Sequence, residues 1–135
     1  MGWELHPDLV RDTTEVARLP LCRVGLMNDA TYPWLVLSPM LPALRDFHDV
    51  PAAHHGTLMG EIGRASRALQ AVYAPDKINV AALGNVTPQL HIHVIARSAR
   101  DPAWAKPVWG IVPARPYGPA ELGETIARIR TALNA

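Results

Sequence analysis

Pro88-Gln89-Leu90-His91-Ile92-His93-Val94-Ile95 alternates polar and apolar side chains, the period of a β-strand that buries one face. In that geometry Leu90, Ile92 and Val94 enter a core together. Gln89, His91 and His93 share the opposite face, with neighbours roughly 7 Å apart, twice the ~3.3 Å rise per residue. Two imidazoles and an amide side by side form a costly surface unless a ligand or a hydrogen-bond network uses it. Three explanations stand. The first is a solvated strand face in a chain that has 6 histidines. The second is a metal site, since imidazoles two apart on a strand can share one ion. It needs further ligands, and the strand continues into Arg97 and Ser98, leaving His48, His54 and His55 as candidates. The third is covalent catalysis: one neutral imidazole attacks phosphorus while its other ring nitrogen is held by a hydrogen bond, and its neighbour protonates a leaving group or stabilises charge.

The flanking sequence supplies the frame for this strand. Leu21–Met27 and Trp34–Leu37 read as two strands, with Asn28-Asp29-Ala30-Thr31 as turn chemistry between them. Trp34-Leu35-Val36-Leu37 is apolar throughout, which predicts burial on both faces. Pro51–Tyr73 reads as a helix on the stripe Leu58, Ile62, Ala65, Leu69 and Val72, with Asp49 as N-cap and Pro51 in the first turn. Gly60 and Gly63 weaken its middle, which close packing against a sheet would explain. Lys77–Ala82 and Leu90–Arg97 are two further strands joined by the short Gly84-Asn85-Val86-Thr87-Pro88 segment, so antiparallel pairing is expected. Pro119–Leu133 closes the chain as a helix with Leu122, Ile126, Ile129 and Leu133 on one face. Strands, helix, strands, helix in this order predict an α+β domain with an antiparallel sheet.

The whole chain has 135 residues, within the span of one domain. The expected division is a core over 21–97, a proline-rich tail over 101–119 and a helix over 119–133. Proline is enriched, with 13 residues that mostly bound elements or stiffen the tail. Cys22 is the single cysteine, which excludes an internal disulfide framework and a cysteine zinc cluster. A net charge of +1 argues against duplex nucleic acid as a partner. The first residues lack an export signal and no apolar run reaches the ~20 residues of a membrane span, so a cytoplasmic protein without a membrane partner is expected.

The strand segment resembles the histidine triad (HIT) signature, His-φ-His-φ-His-φ-φ with φ apolar, with Gln89 standing where the first histidine is expected. The likeness extends upstream. Gly84-Asn85 resembles the turn whose side chain contacts phosphate, Phe47-His48-Asp49-Val50 resembles the segment before the long helix in fragile histidine triad proteins, and Leu26-Met27-Asn28 resembles the ribose-holding segment. The run Asp101-Pro102-Ala103-Trp104 through Val108-Trp109-Gly110 is similar to the tail of a bacterial branch related to diadenosine tetraphosphate hydrolases.

The resemblance implies a single HIT-like domain: an antiparallel sheet of about five strands, a long helix and a C-terminal helix. It implies a homodimer that binds a purine nucleotide and hydrolyses or transfers at the α-phosphate of a dinucleoside polyphosphate, a phosphoramidate or a related nucleotide. His91 is then the nucleophile, His93 steadies phosphate charge or the leaving group, and Gln89 orients its neighbours through an amide that both donates and accepts. Asn85 donates to a phosphate oxygen, Asn28 and Asp29 approach the ribose hydroxyls, and His48 stands behind the histidines. His54 and His55 are expected at solvent or at an interface, and Trp104 and Trp109 as anchors of the tail. No cofactor or protein-bound metal is implied, although a divalent cation can accompany the nucleotide. Gln89 also keeps open a nucleotide-binding protein with weak or lost catalysis, and the His-x-His pair a metal-dependent hydrolase.

Overall fold

The computed structural model describes residues 2–135. Its sheet contains β1 (Thr13–Arg18), β2 (Cys22–Met27), β3 (Trp34–Pro39), β4 (Lys77–Ala81) and β5 (Ile92–Arg97) in the order β1-β2-β3-β5-β4, every neighbour antiparallel. The helices are α1 (Pro7–Asp12), α2 (His55–Tyr73) and α3 (Pro119–Leu133). This is the α+β domain expected, a five-stranded antiparallel sheet with the long helix and the C-terminal helix in place.

The sheet separates two cores, and that division positions the site. On one face Val24, Leu26, Leu35, Leu37, Ile92 and Val94 pack against Leu58, Ile62, Ala65 and Leu69 of α2 and Ile129 and Leu133 of α3. On the other face Trp34, Val36 and Ile95 pack against Leu9 of α1, Tyr32, and Ala103 and Val108 of the tail. Central β3 is buried along its whole length, as its continuous apolar sequence predicts. Glu61, buried on the sheet side of α2, accepts from the N–H of Leu21 at 2.9 Å and of Cys22 at 2.7 Å. It thereby ties the helix to the entry of β2.

Several expectations need correction. The core begins before residue 21: α1 and β1 precede it, and β1 pairs along β2 with a bulge between Glu15 and Ala17. The α-helix expected from Pro51 starts at His55, after two 3-10 turns over Phe47–Asp49 and Ala52–His54. Asp49 caps the first of these turns instead of the helix, its Oδ2 accepting from the N–H of Arg45 at 3.1 Å and of Asp46 at 3.0 Å. Gly60 faces open space, so sheet packing does not explain it.

The tail runs back along the sheet end. Asn28 Oδ1 accepts from the Tyr117 N–H at 2.9 Å, Asp29 Oδ1 accepts from the Arg115 N–H at 3.1 Å, and the Ala30 N–H donates to the Arg115 carbonyl at 2.6 Å. The donors at 115 and 117 flank Pro116, which has none to offer, so the proline costs this pairing nothing.

Candidate functional site

His91 and His93 lie on the sheet face turned away from α2 and α3, between the N-terminal segment and the tail. The alternation of β5 puts Ile92 and Val94 in the helix-side core and His93 and Ile95 opposite. The two rings meet edge to face with centroids 4.9 Å apart, and both residues are buried.

Their hydrogen bonds set their protonation. His91 Nδ1 lies 2.7 Å from the backbone carbonyl of Gln89. A carbonyl only accepts, so Nδ1 carries the proton, and in the neutral ring Nε2 presents a lone pair. His93 is set the other way. Trp34 Nε1–H donates to His93 Nδ1 at 2.9 Å. An indole N–H only donates, so Nδ1 is the acceptor and the proton sits on Nε2. Burial first, and the neighbouring His91 second, push His93 down from its ordinary value to about 4, so it is neutral at physiological pH. The pair therefore exposes one nucleophilic lone pair and one N–H donor on adjacent rings.

Gln89 is placed differently from expectation. Its side chain turns to the N-terminal segment, where Oε1 accepts from the His6 N–H and Nε2 donates to the Glu4 carbonyl, both at 2.8 Å. Its backbone carbonyl, not its amide, orients His91. A second tie, Thr87 Oγ1–H to Asp8 Oδ2 at 2.7 Å, fastens α1 to the loop before β5. Asn85 is exposed on that loop, next to Gly84, whose φ of +73° lies in the left-handed region that favours glycine.

His48 does not stand behind the histidines. Its side chain is 82% exposed, and its Nε2 lies 3.7 Å from Asp49 Oδ1. The 3-10 turn that carries it projects outward, which removes the proposed hydrogen bond into the pair. His55 Nε2 bonds the Val50 carbonyl at 2.8 Å and so holds the turn before α2. Asp46, His48 and Asp49 bring one potential metal-ligand atom each within 4.8 Å of one another, but all three are exposed. Among the described residues no comparable group of three includes His91 and His93.

A cleft of about 360 Å³ opens beside the pair, lined by Met27, Asn28, Asp29, Trp34, Trp109 and Val112 among others. Trp109 stands edge-on to His93 at 5.1 Å and to Trp34 at 5.6 Å. It anchors the tail and also forms a wall shared by cleft and histidines. Trp104 lies with its ring centroid 5.8 Å from the buried Arg97 guanidinium, away from the pair. Trp34 and His6 are the site residues that sequence reading missed. The strand containing Trp34 was legible, but the β3–β5 register that sets it beside β5 was not.

The HIT domain family model matches residues 9–100. Three solved structures share the fold along nearly the whole chain. A histidine triad protein from Bradyrhizobium japonicum is 41% identical, with 98% of this chain and 99% of that one covered and a TM-score of 0.95. One from Marinobacter aquaeolei is 38% identical, with 99% and 98% covered and a TM-score of 0.95. One from Sinorhizobium meliloti is 36% identical, with 96% of each chain covered and a TM-score of 0.93. No curated protein matches the chain. The chain belongs to the histidine triad family, whose members bind nucleotides.

Proposed function

We propose that this protein is a nucleotide hydrolase or nucleotidyl transferase that acts at the α-phosphate of a purine nucleotide through a covalent nucleotidyl intermediate on His91. The observation that carries this reading is the opposite polarity of the two imidazoles: His91 Nδ1–H is held by the Gln89 carbonyl, while His93 Nδ1 is held by Trp34. His91 Nε2 attacks phosphorus, a P–N bond forms, and the bond to the leaving group breaks with its electron pair on the leaving atom. His93 Nε2–H donates to a phosphate oxygen as charge builds there. Water then attacks phosphorus, the P–N bond breaks, and His91 is regenerated as the water proton passes to solvent.

The same reading assigns roles to the remaining residues. Asn85 donates to phosphate from the exposed loop, and the cleft beside Trp34 takes the nucleoside. Asn28 and Asp29 line that cleft while one oxygen of each holds the tail, leaving Asn28 Nδ2 and Asp29 Oδ2 for ribose hydroxyls. Gln89 read as the first triad position and the tail from Asp101 to Gly110 support a kinship with the diadenosine tetraphosphate hydrolase-related branch. The active unit is a homodimer. Incubation with a dinucleoside polyphosphate followed by acid-free mass spectrometry is expected to show a nucleotidyl adduct on His91, and His91→Ala is expected to lose adduct and turnover. Turnover persisting in His91→Ala overturns the mechanism.

A second reading is a nucleotide binder with little or no catalysis. It is favoured by Gln89, whose side chain is committed to Glu4 and His6. Calorimetric binding of a nucleoside monophosphate without turnover of any dinucleotide supports it.

A further inference from the structure

We infer that Trp34 is a positioning residue that keeps His93 a neutral donor, and that the site is thereby built for phosphoanhydride substrates and against phosphoramidates. The inference rests on the proposed covalent reaction at His91 and narrows its substrate class.

The argument is one of proton inventory. His93 has two ring nitrogens. Nδ1 is taken by the Trp34 indole N–H at 2.9 Å in a buried contact, and an indole N–H cannot reverse its role. A proton can enter Nδ1 only if that bond breaks. With Nδ1 as acceptor, the single proton of His93 is on Nε2, and surrendering it would leave an imidazolate. His93 therefore stabilises charge by donating a hydrogen bond without transferring the proton. The surroundings offer no help in charging the ring. Trp34 and Val36 face it from β3, Ala81 pairs with it from β4, Trp109 covers it from the tail, and His91 adjoins it on its own strand. Among the described residues no carboxylate forms an ion pair or hydrogen bond with it. Burial and His91 both act against the cation.

The leaving group decides whether this matters. When His91 Nε2 displaces a phosphate or nucleotide from an anhydride, the departing oxygen holds the electron pair as a phosphate anion. A phosphate monoester has a second pKa of about 6, so it needs no proton at neutral pH. When the bond broken is P–N, the departing nitrogen must be protonated as it leaves, since the amine product is basic, near pKa 10 for a lysine-type amine. That proton must come from a general acid, which ordinarily contributes on the order of 10²–10⁴-fold. His93 as held here cannot supply it.

The test compares diadenosine tetraphosphate with adenosine 5′-phosphoramidate at pH 7 on the full chain, together with ¹⁵N spectra of the imidazoles. Wild-type protein is expected to cleave the anhydride at least roughly 10²-fold better in kcat, with the difference in kcat and not in KM. Its His93 is expected to show an unprotonated Nδ1 and a protonated Nε2 at pH 7. Trp34→Phe frees Nδ1, so His93 is expected to titrate closer to its ordinary range and the kcat ratio to narrow on the acid side of neutrality. Equal cleavage of both substrates with the His91 adduct still formed overturns this inference and leaves the covalent mechanism standing. A protonated His93 Nδ1 in the wild type at pH 7 overturns it whatever the rates, and so remains decisive if Trp34→Phe fails to fold. No adduct and no turnover with either substrate sinks the hydrolase reading and this inference with it.

Discussion

Gln89 and His6 lie 83 residues apart in the chain and meet at 2.8 Å, the side-chain Oε1 of one accepting from the backbone N–H of the other. The same amide donates through Nε2 to the Glu4 carbonyl at 2.8 Å. A primary carboxamide presents donor and acceptor on one edge, as the N–H and C=O of a single strand residue do, so Gln89 bonds the passing N-terminal segment much as a neighbouring strand would. An imidazole places its two nitrogens on different edges of the ring and cannot make both contacts to one stretch of backbone. Gln89 thereby joins the N-terminal segment to the residue whose carbonyl orients His91.

Replacing Gln89 by Ala should release this segment without displacing His91, because the carbonyl that holds His91 is backbone. Two neutral hydrogen bonds are lost, each with a net value of roughly 0.5–1.5 kcal/mol. The expected result is a stability loss of about 1–3 kcal/mol in urea denaturation and faster amide exchange at His6. Gln89→His is expected to behave similarly, for want of a second contact. Unchanged His6 exchange in both variants would show that the clamp does not order the segment.

Stability should fall as pH is lowered from about 6.5 to about 4, because His93 stays neutral in the fold down to about 4. In the unfolded chain the ring takes up a proton near 6.5, so within that window the unfolded state binds the extra proton and gains on the native one. The full difference corresponds to roughly 3 kcal/mol, complete near pH 4 and absent above pH 7. Denaturation midpoints measured between pH 4 and 8 should show this slope in the wild type. His93→Gln, which cannot titrate, should lose that part of it.

The paired histidines were legible because they obey a local rule: β-alternation puts His91 and His93 on one face whatever surrounds them. What holds each ring was not local. Trp34 reaches His93 through the register Trp34↔Ile95 and Val36↔His93, which no spacing in the sequence reveals. The missed elements have equally physical causes. Pro7–Asp12 is a single short helix, too brief for an apolar period, and it buries only Leu9. In Thr13–Arg18 the bulge between Glu15 and Ala17 interrupts the alternation that marks a strand. His48 was drawn inward by likeness of its neighbouring residues alone, whereas the capped 3-10 turn at Asp46–Asp49 sends it into solvent.

Glu61 is a structural carboxylate, and its removal should be among the most costly single changes in the helix-side core. Glu61→Ala leaves two buried N–H groups, of Leu21 and Cys22, without an acceptor. At about 1–3 kcal/mol for each orphaned donor, a loss of roughly 2–6 kcal/mol is expected in chemical denaturation. Glu61→Gln keeps one acceptor oxygen and should fall between wild type and Glu61→Ala. The carboxylate and burial also push the Cys22 thiol above its ordinary value, burial being the larger cause. Cys22 should accordingly resist thiol reagents in the native protein and react on unfolding. Reaction at neutral pH without denaturant would count against that packing.

The proposed homodimer has a specific seat. β4 is an edge strand of the sheet, so one side of its backbone lacks a partner strand within the chain. Val80 on this edge, 45% exposed, and Met59 on α2, 69% exposed, border an apolar cleft of about 570 Å³ that also includes Phe47, Leu58 and Ile62. An antiparallel pairing of two β4 edges is self-complementary, would continue the sheet across a two-fold axis and would cover this cleft with its own copy. Sedimentation equilibrium should give a mass near twice the 14.7 kDa chain. Val80→Lys and Met59→Glu should shift it to the monomer while the fold persists by circular dichroism, since both side chains are exposed in the single chain. A wild-type monomer at micromolar concentration would remove the dimer from the proposed function and leave the chemistry of His91 untouched.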